Sequence, residues 1–83
     1  MREWELLKLK WHKSRFGVPG IQYRLMTTHV LRNGGFFQID KESDGYHVSV
    51  NAFYWDKRRT VTKTLRTAKA WAEKTYKEDK RKR

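Results

Sequence analysis

Cysteine is absent from the 83 residues. No disulfide can staple this chain, and no thiolate can hold zinc or serve as a nucleophile. A reducing compartment suits such a composition, and a cytoplasmic location is the expectation. Proline occurs once, at Pro19, and glycine five times, so few positions force the backbone to break. Long apolar runs are missing too. No window approaches the roughly 18 apolar residues of a membrane span. Met1 to Lys10 interleaves Arg2, Glu3, Glu5, Lys8 and Lys10 with apolar residues, unlike the unbroken apolar stretch of a signal peptide. A soluble, unexported protein without membrane contact is expected. Acidic residues are the last scarcity: nine Asp/Glu stand against 20 Lys/Arg, for a formal charge of +11.

What is present is aromatic and basic. The length suits one domain, residues 1–83, which buries only about 60–65% of the surface its unfolded chain exposes. Four Trp, four Tyr and four Phe are the expected source of the core, because large rings bury the most area per residue. The charge is unevenly placed. Residues 57–83 hold twelve Lys/Arg against three Asp/Glu, a balance of +9, whereas residues 1–56 balance at +2. Such asymmetry points to a partner carrying phosphates or carboxylates.

Residues 4–11 alternate Leu7, Leu9 and Trp11 against Leu6, Lys8 and Lys10. Period two predicts a first strand within 1–12, with a short helix as competitor because Trp4, Leu7 and Trp11 also share a helical face. Gly17, Pro19 and Gly20 mark a loop. Antiparallel strands are expected over 21–65. Ile21, Tyr23, Leu25, Thr27, His29 and Leu31 fall on one face, and Asn33-Gly34-Gly35 signals a hairpin. A three-residue turn with Gly35 left-handed pairs Leu31 with Phe37 and His29 with Ile39, which gathers most apolar residues on one side. The next turn, Glu42-Ser43-Asp44-Gly45, pairs Lys41 with Tyr46, Ile39 with Val48 and Phe37 with Val50 by the same test. The opposite, outer face then carries Arg32, Phe36, Gln38, Asp40, His47, Ser49 and Asn51. Thr60 to Leu65 reads as a last strand.

A helix is expected over 66–80, with Thr67 as N-cap and a frayed basic tail at 81–83. At 100° per residue, Leu65, Ala68, Trp71, Ala72, Thr75 and Tyr76 lie on one side. Arg66, Lys74, Lys77 and Arg81 lie on the other. The expected fold is α+β: an antiparallel sheet of three to five strands, with one C-terminal helix packed on one face through Trp71 and Tyr76.

No constellation in the sequence carries catalysis or holds a metal or cofactor. On this register His47 faces Asp40, half of an acid–base unit, but no nucleophile accompanies it with a supporting pattern, and a solvated cross-strand pair accounts for it. The histidines match no metal-ligand spacing. Asn33-Gly34-Gly35 leads into a strand and lacks the phosphate-cradle patterns. The functional candidates are therefore basic. Lys57, Arg58 and Arg59 in a charged turn, with Arg66, Lys74, Lys77 and Arg81 on the helix, can neutralise phosphates and release counterions. A solvated face or an acidic protein partner would use the same residues. On the sheet, Arg32, Gln38 and Asn51 are of the types that read base edges. Phe36 could stack on an unpaired base, and His47 shares that face.

The segments Gly45-Tyr46-His47-Val48-Ser49-Val50 and Leu65-Arg66-Thr67-Ala68-Lys69-Ala70-Trp71-Ala72-Glu73 carry a resemblance. Together they resemble the small bacteriophage and prophage proteins built as a β-meander ending in a T-x-x-x-A-x-x-A helix, over roughly residues 21–78. That resemblance implies a bacterial cytoplasm and either DNA handling or interference with a host protein. The pattern is also similar in part to AP2-like and integrase arm-binding domains, without their Trp-Gly strands. It is similar in part to the double-stranded-RNA-binding domain, without its Lys-Lys-x-Ala-Lys helix start. The expected function is a small, non-enzymatic protein that binds DNA or RNA through its C-terminal third. The alternative is a phage-type inhibitor of a host or defence protein, with contact centred on Phe36, Phe53 and Trp55. No feature of the sequence assigns an oligomeric state.

Overall fold

The structure, a computed structural model, describes residues 9–15, 17–31, 34–51 and 58–81, with the backbone alone at 80 and 81. Its described strands are β1 (His12–Lys13), β2 (Tyr23–Met26), β3 (Phe36–Glu42), β4 (Gly45–Asn51) and β5 (Arg59–Thr62); one helix, α1 (Leu65–Arg81), follows. The strands form one antiparallel meander in the order β1-β2-β3-β4-β5. The helix lies on β4 and β5. The expected α+β architecture is therefore the observed one, with the sheet at the upper end of the expected strand number.

Alternation explains the central hairpin. β3 and β4 pair Lys41 with Tyr46, Ile39 with Val48 and Phe37 with Val50. Phe37, Ile39 and Val48 are fully buried, and Val50 nearly so. Shifting either strand by one residue would turn all of these outward, so the apolar set pins the register. Each such side chain contributes about 1.5–3 kcal/mol of burial.

The β2–β3 register differs from the expectation. Leu25, not His29, stands opposite Ile39, and Tyr23 stands opposite Lys41. The ladder ends because the Phe37 N–H donates to the Thr27 hydroxyl (3.0 Å) while the Thr27 N–H donates to the Phe37 carbonyl (3.0 Å). A side chain thus takes the place of the next backbone acceptor. The chain leaves β2 after Met26, and Leu31 returns to plug the core from the loop, 5% exposed. His29 is exposed instead of facing the core. Its ring Nδ1 lies 2.6 Å from the Gly34 carbonyl oxygen, so Nδ1–H is the donor of this bond. The left-handed residue of the turn is Gly34 (φ +84), not Gly35. The Gly34 N–H donates to the Leu31 carbonyl and the Leu31 N–H donates to the Gly35 carbonyl.

The core is more aliphatic than expected. Leu9, Leu31, Phe37, Ile39, Val48, Val50, Ala68 and Ala72 form it, and Trp11, Tyr46, Trp71 and Tyr76 pack around its margin. Ala68 and Ala72 have no exposed area. These small side chains let the helix approach the sheet closely, which leaves Trp71 half-buried beside the contact and not beneath it. The indole meets Phe37 edge-on, centroids 6.5 Å apart and planes at 88°. At the N-terminal side, Leu9 is buried and Trp11 half-buried. The strand of this region lies at His12–Lys13, and residues 4–8 of the expected strand are outside the described residues.

The helix cap also differs. Helix α1 begins at Leu65, and its N-cap is Thr64, not Thr67. The Thr67 N–H donates to the Thr64 hydroxyl oxygen (3.2 Å), and the Ala68 N–H donates to the Thr64 carbonyl (3.1 Å). The Thr67 hydroxyl closes back on the Thr64 carbonyl at 2.9 Å. The Thr64 hydroxyl thus satisfies one of the free N–H groups of the first turn, as an N-cap does.

Candidate nucleic-acid interface

Two surfaces carry the expected site residues, and the structure separates them. The first is the sheet face turned away from α1. Register places Arg24 and Met26 of β2, Phe36, Gln38, Asp40 and Glu42 of β3, His47, Ser49 and Asn51 of β4, and Arg59 and Val61 of β5 on it. Its polar groups are bonded to one another. Arg24 makes a two-pronged ion pair with Asp40, Nε to Oδ1 at 2.6 Å and Nη2 to Oδ2 at 3.3 Å. The Gln38 amide donates to Asp40 Oδ2 at 3.1 Å, and the Asn51 amide donates to Gln38 Oε1 at 2.9 Å. A chain of bonds thus crosses β2, β3 and β4. Gln38 and Asn51 thus each spend an amide donor within the sheet. Phe36 is half-buried, with the His29 ring edge-on at 5.1 Å. Arg32 lies outside the described residues.

At the turn end of the same face, His47 is opposite Asp40 in the ladder but bonds elsewhere. Its Nε2 lies 2.7 Å from Asp44 Oδ1 and 3.7 Å from Glu42 Oε2. The hydrogen bond to Asp44 raises the His47 pKa above its ordinary 6.5, against a smaller opposing effect of burial. The same bond lowers the Asp44 pKa below 3.8. Asp40 is committed to Arg24, which is why the expected His47–Asp40 pair does not form. Glu42, Asp44 and His47 hold their ligand-type atoms within 4.8 Å of one another. Sequence spacing does not reveal this grouping, because the two-residue turn Ser43-Asp44 creates it. Among the described residues of this face, Asp40, Glu42 and Asp44 offset Arg24 and Arg59.

The second surface is the solvent side of α1. Ala68, Ala72 and Thr75 are buried against the sheet. Arg66, Ala70 and Lys74 are exposed and Lys77 is partly exposed. At 100° per residue these four fall within an arc of about 80°. Glu73 and Glu78 border the arc, and with Ala70, Lys74 and Lys77 they line a shallow groove along the helix. The first turn contains no acidic residue. Arg66 occupies it, and exposed Lys63 precedes the cap. A cation there is unfavourable to the helix dipole, where a carboxylate would contribute about 0.3–1 kcal/mol of stabilisation. Lys63 is not among the expected site residues, because Thr60 to Leu65 reads in the sequence as the last strand, whereas β5 ends at Thr62.

The expected basic set therefore divides. Arg66, Lys74 and Lys77 share one stripe. Arg81 is in the last turn, its side chain undescribed. Arg59 is exposed, but its pairing with Ser49 directs it to the opposite sheet face. Arg58 is half-buried at the entry to β5, where its carbonyl accepts from the Val50 N–H. Lys57 lies outside the described residues, as do Phe53 and Trp55.

A third cluster has no counterpart among the sequence expectations. Beside β1, Lys13 Nζ sits 5.6 Å from the centroid of the Tyr23 ring, and Lys41 Nζ sits 4.7 Å from that of Tyr46. The two tyrosines meet edge-on at 6.5 Å. Burial, with a hydrogen bond to Tyr46, raises the Tyr23 pKa above 10.0. Cross-strand packing accounts for this group. Among the described residues no helix is long and apolar enough to cross a membrane. Comparison with protein-family models, curated proteins and solved structures finds no match.

Proposed function

We propose that this protein binds nucleic acid without catalysis, by neutralising phosphates along the solvent side of α1. The carrying observation is the stripe Arg66–Ala70–Lys74–Lys77 on the side of α1 away from the sheet, with exposed Lys63 in the segment before the cap. Three facts support the reading. The +9 balance of residues 57–83 exceeds what solubility requires. The first helical turn carries one cation, Arg66, and no acidic residue, an arrangement unfavourable to the helix dipole that suits an anion-binding surface. The outer sheet face has its amides and its carboxylate bonded internally, which leaves the helix as the better anion surface. The stripe offers only cationic side chains and one alanine, so the reading rests on phosphate neutralisation and names no base preference.

The test is charge reversal. The triple variant Arg66→Glu, Lys74→Glu and Lys77→Glu, checked for its fold by circular dichroism, should lose binding to a random-sequence duplex at low salt. Arg59→Glu, on the far sheet face, should change the affinity much less. A folded triple variant that binds as the parent does would reject the interface. Failure of the parent protein to bind any nucleic acid would leave an acidic protein as the partner to seek.

A further inference from the structure

We propose that Glu42, Asp44 and His47, gathered at the β3–β4 turn, bind one divalent transition-metal ion of the zinc type. The site lies on the sheet face turned away from α1 and does not depend on the phosphate-binding stripe. The hairpin makes the cluster. Glu42 ends β3 opposite Gly45, and His47 stands opposite Asp40. Glu42 and His47 are therefore diagonal neighbours on one face, a spacing that long side chains can bridge. The turn Ser43-Asp44 brings in the third group from the end of the hairpin. His47 Nε2 lies 2.7 Å from Asp44 Oδ1 and 3.7 Å from Glu42 Oε2, and the three ligand-type atoms lie within 4.8 Å of one another. The turn is also held from outside. An ideal Cβ on Gly45 would lie 2.6 Å from the Thr62 carbonyl oxygen, so β5 packs directly against this end of the hairpin.

A proton serves this arrangement only in part. One Nε2–H is spent on Asp44, and at 3.7 Å the Glu42 carboxylate is beyond hydrogen-bond range. An ion at the centre serves all three groups. Zn2+ takes imidazole nitrogen and carboxylate oxygen at about 2.0–2.2 Å in a tetrahedral shell, which sets ligand atoms about 3.4 Å apart. The His47–Glu42 separation is already close to that. The His47–Asp44 separation must open by about 0.7 Å, a small rotation for the exposed Asp44 side chain. Water completes the shell. Charge balances as well, since two carboxylates and a neutral imidazole offset the ion. The neighbouring cations are engaged elsewhere: Arg24 pairs with Asp40, and Lys41 Nζ lies over the Tyr46 ring. The imidazole selects the metal class, because magnesium and calcium favour sets of oxygen ligands alone.

Isothermal titration of the full chain with zinc chloride, and separately with magnesium chloride, at neutral pH in a non-coordinating buffer tests the site. One Zn2+ should bind per chain, more tightly than Mg2+, and Tm should rise with zinc concentration because the ion binds the folded state. Glu42→Gln, Asp44→Asn and His47→Gln should each weaken zinc binding by on the order of tenfold or more, since losing even a group that only supports a ligand commonly costs that much. In the parent chain, NMR should show zinc shifting the ring signals of His47 and leaving those of His12 and His29 in place. That readout does not depend on any variant folding. No saturable zinc binding, magnesium binding as tight as zinc, affinity unchanged in all three variants, or zinc shifts at His12 or His29 instead of His47 would each overturn the site.

Discussion

Gly45 opens β4 with φ +142, and an ideal Cβ built there would lie 2.6 Å from the Thr62 carbonyl oxygen and 3.4 Å from Val61 Cγ1. Gly45→Ala therefore meets two obstacles. The backbone conformation is one that residues with a side chain avoid, at a cost of about 1–3 kcal/mol. The obstructing oxygen belongs to β5 backbone that the ladder with β4 holds in place, since Tyr46 pairs with Thr62, so the strand must shift to make room. Loss of chain freedom in the unfolded state returns about 0.4–1 kcal/mol. The net expectation is a destabilisation of about 2–3 kcal/mol, from a total of about 4–12 kcal/mol for a chain of this length. That corresponds to a Tm lower by about 10–20 °C. Gly34→Ala is the control: its φ of +84 is also left-handed, but nothing lies within 4 Å of its added methyl, and its cost should be about 1 kcal/mol. Urea and thermal melts of both variants separate backbone strain from steric contact. Equal losses in the two would refute the claimed approach of β5 to Gly45.

Phe37→Ala should cost about 3–5 kcal/mol, and Trp71→Ala should cost less, because Phe37 is fully buried and Trp71 is not; urea melts that reverse this order would contradict the packing described. Thr64→Ala should lose about 1 kcal/mol of N-cap stabilisation, a larger loss than Thr67→Ala produces in the same assay. The His47–Asp44 bond should stabilise between about pH 4 and 6.5. The raised His47 pKa makes its contribution full below 6.5 and lost as pH rises through the folded value; the lowered Asp44 pKa makes its own full above 3.8 and lost as pH falls through the folded value. In an NMR titration, Asp44→Asn should move the His47 midpoint down, and an unchanged midpoint would assign the shift to another group.

The β3–β4 register is readable from sequence because apolar residues alternate on both strands and the turn between them is short. The β2–β3 offset is not. Pairing Leu25 or His29 with Ile39 puts the same set of side chains on the same face, since the two registers differ by an even number of residues. Period two fixes the face and leaves the offset to the loop. The loop is set by the Thr27 hydroxyl, the buried Leu31 and the His29–Gly34 bond, none of which has a sequence signature. The helix cap is ambiguous for a related reason: Thr60, Thr62, Thr64 and Thr67 are all chemically able to cap, and only the arrival of the chain from β5 selects Thr64. The basic stripe is legible because one rotation per residue orders a helix whatever it packs on. That Arg59 faces away from it requires the β4–β5 pairing, and the chain of bonds through Gln38 and Asn51 requires side-chain geometry.

The central claim is that phosphate neutralisation by the exposed side of α1 drives binding. The salt dependence of affinity for a random DNA duplex tests it most directly. The logarithm of the binding constant should fall linearly with the logarithm of salt, and Arg66→Ala and Lys74→Ala should each flatten the slope by about 0.9. A slope that both variants leave unchanged, or an affinity indifferent to salt, would contradict the account.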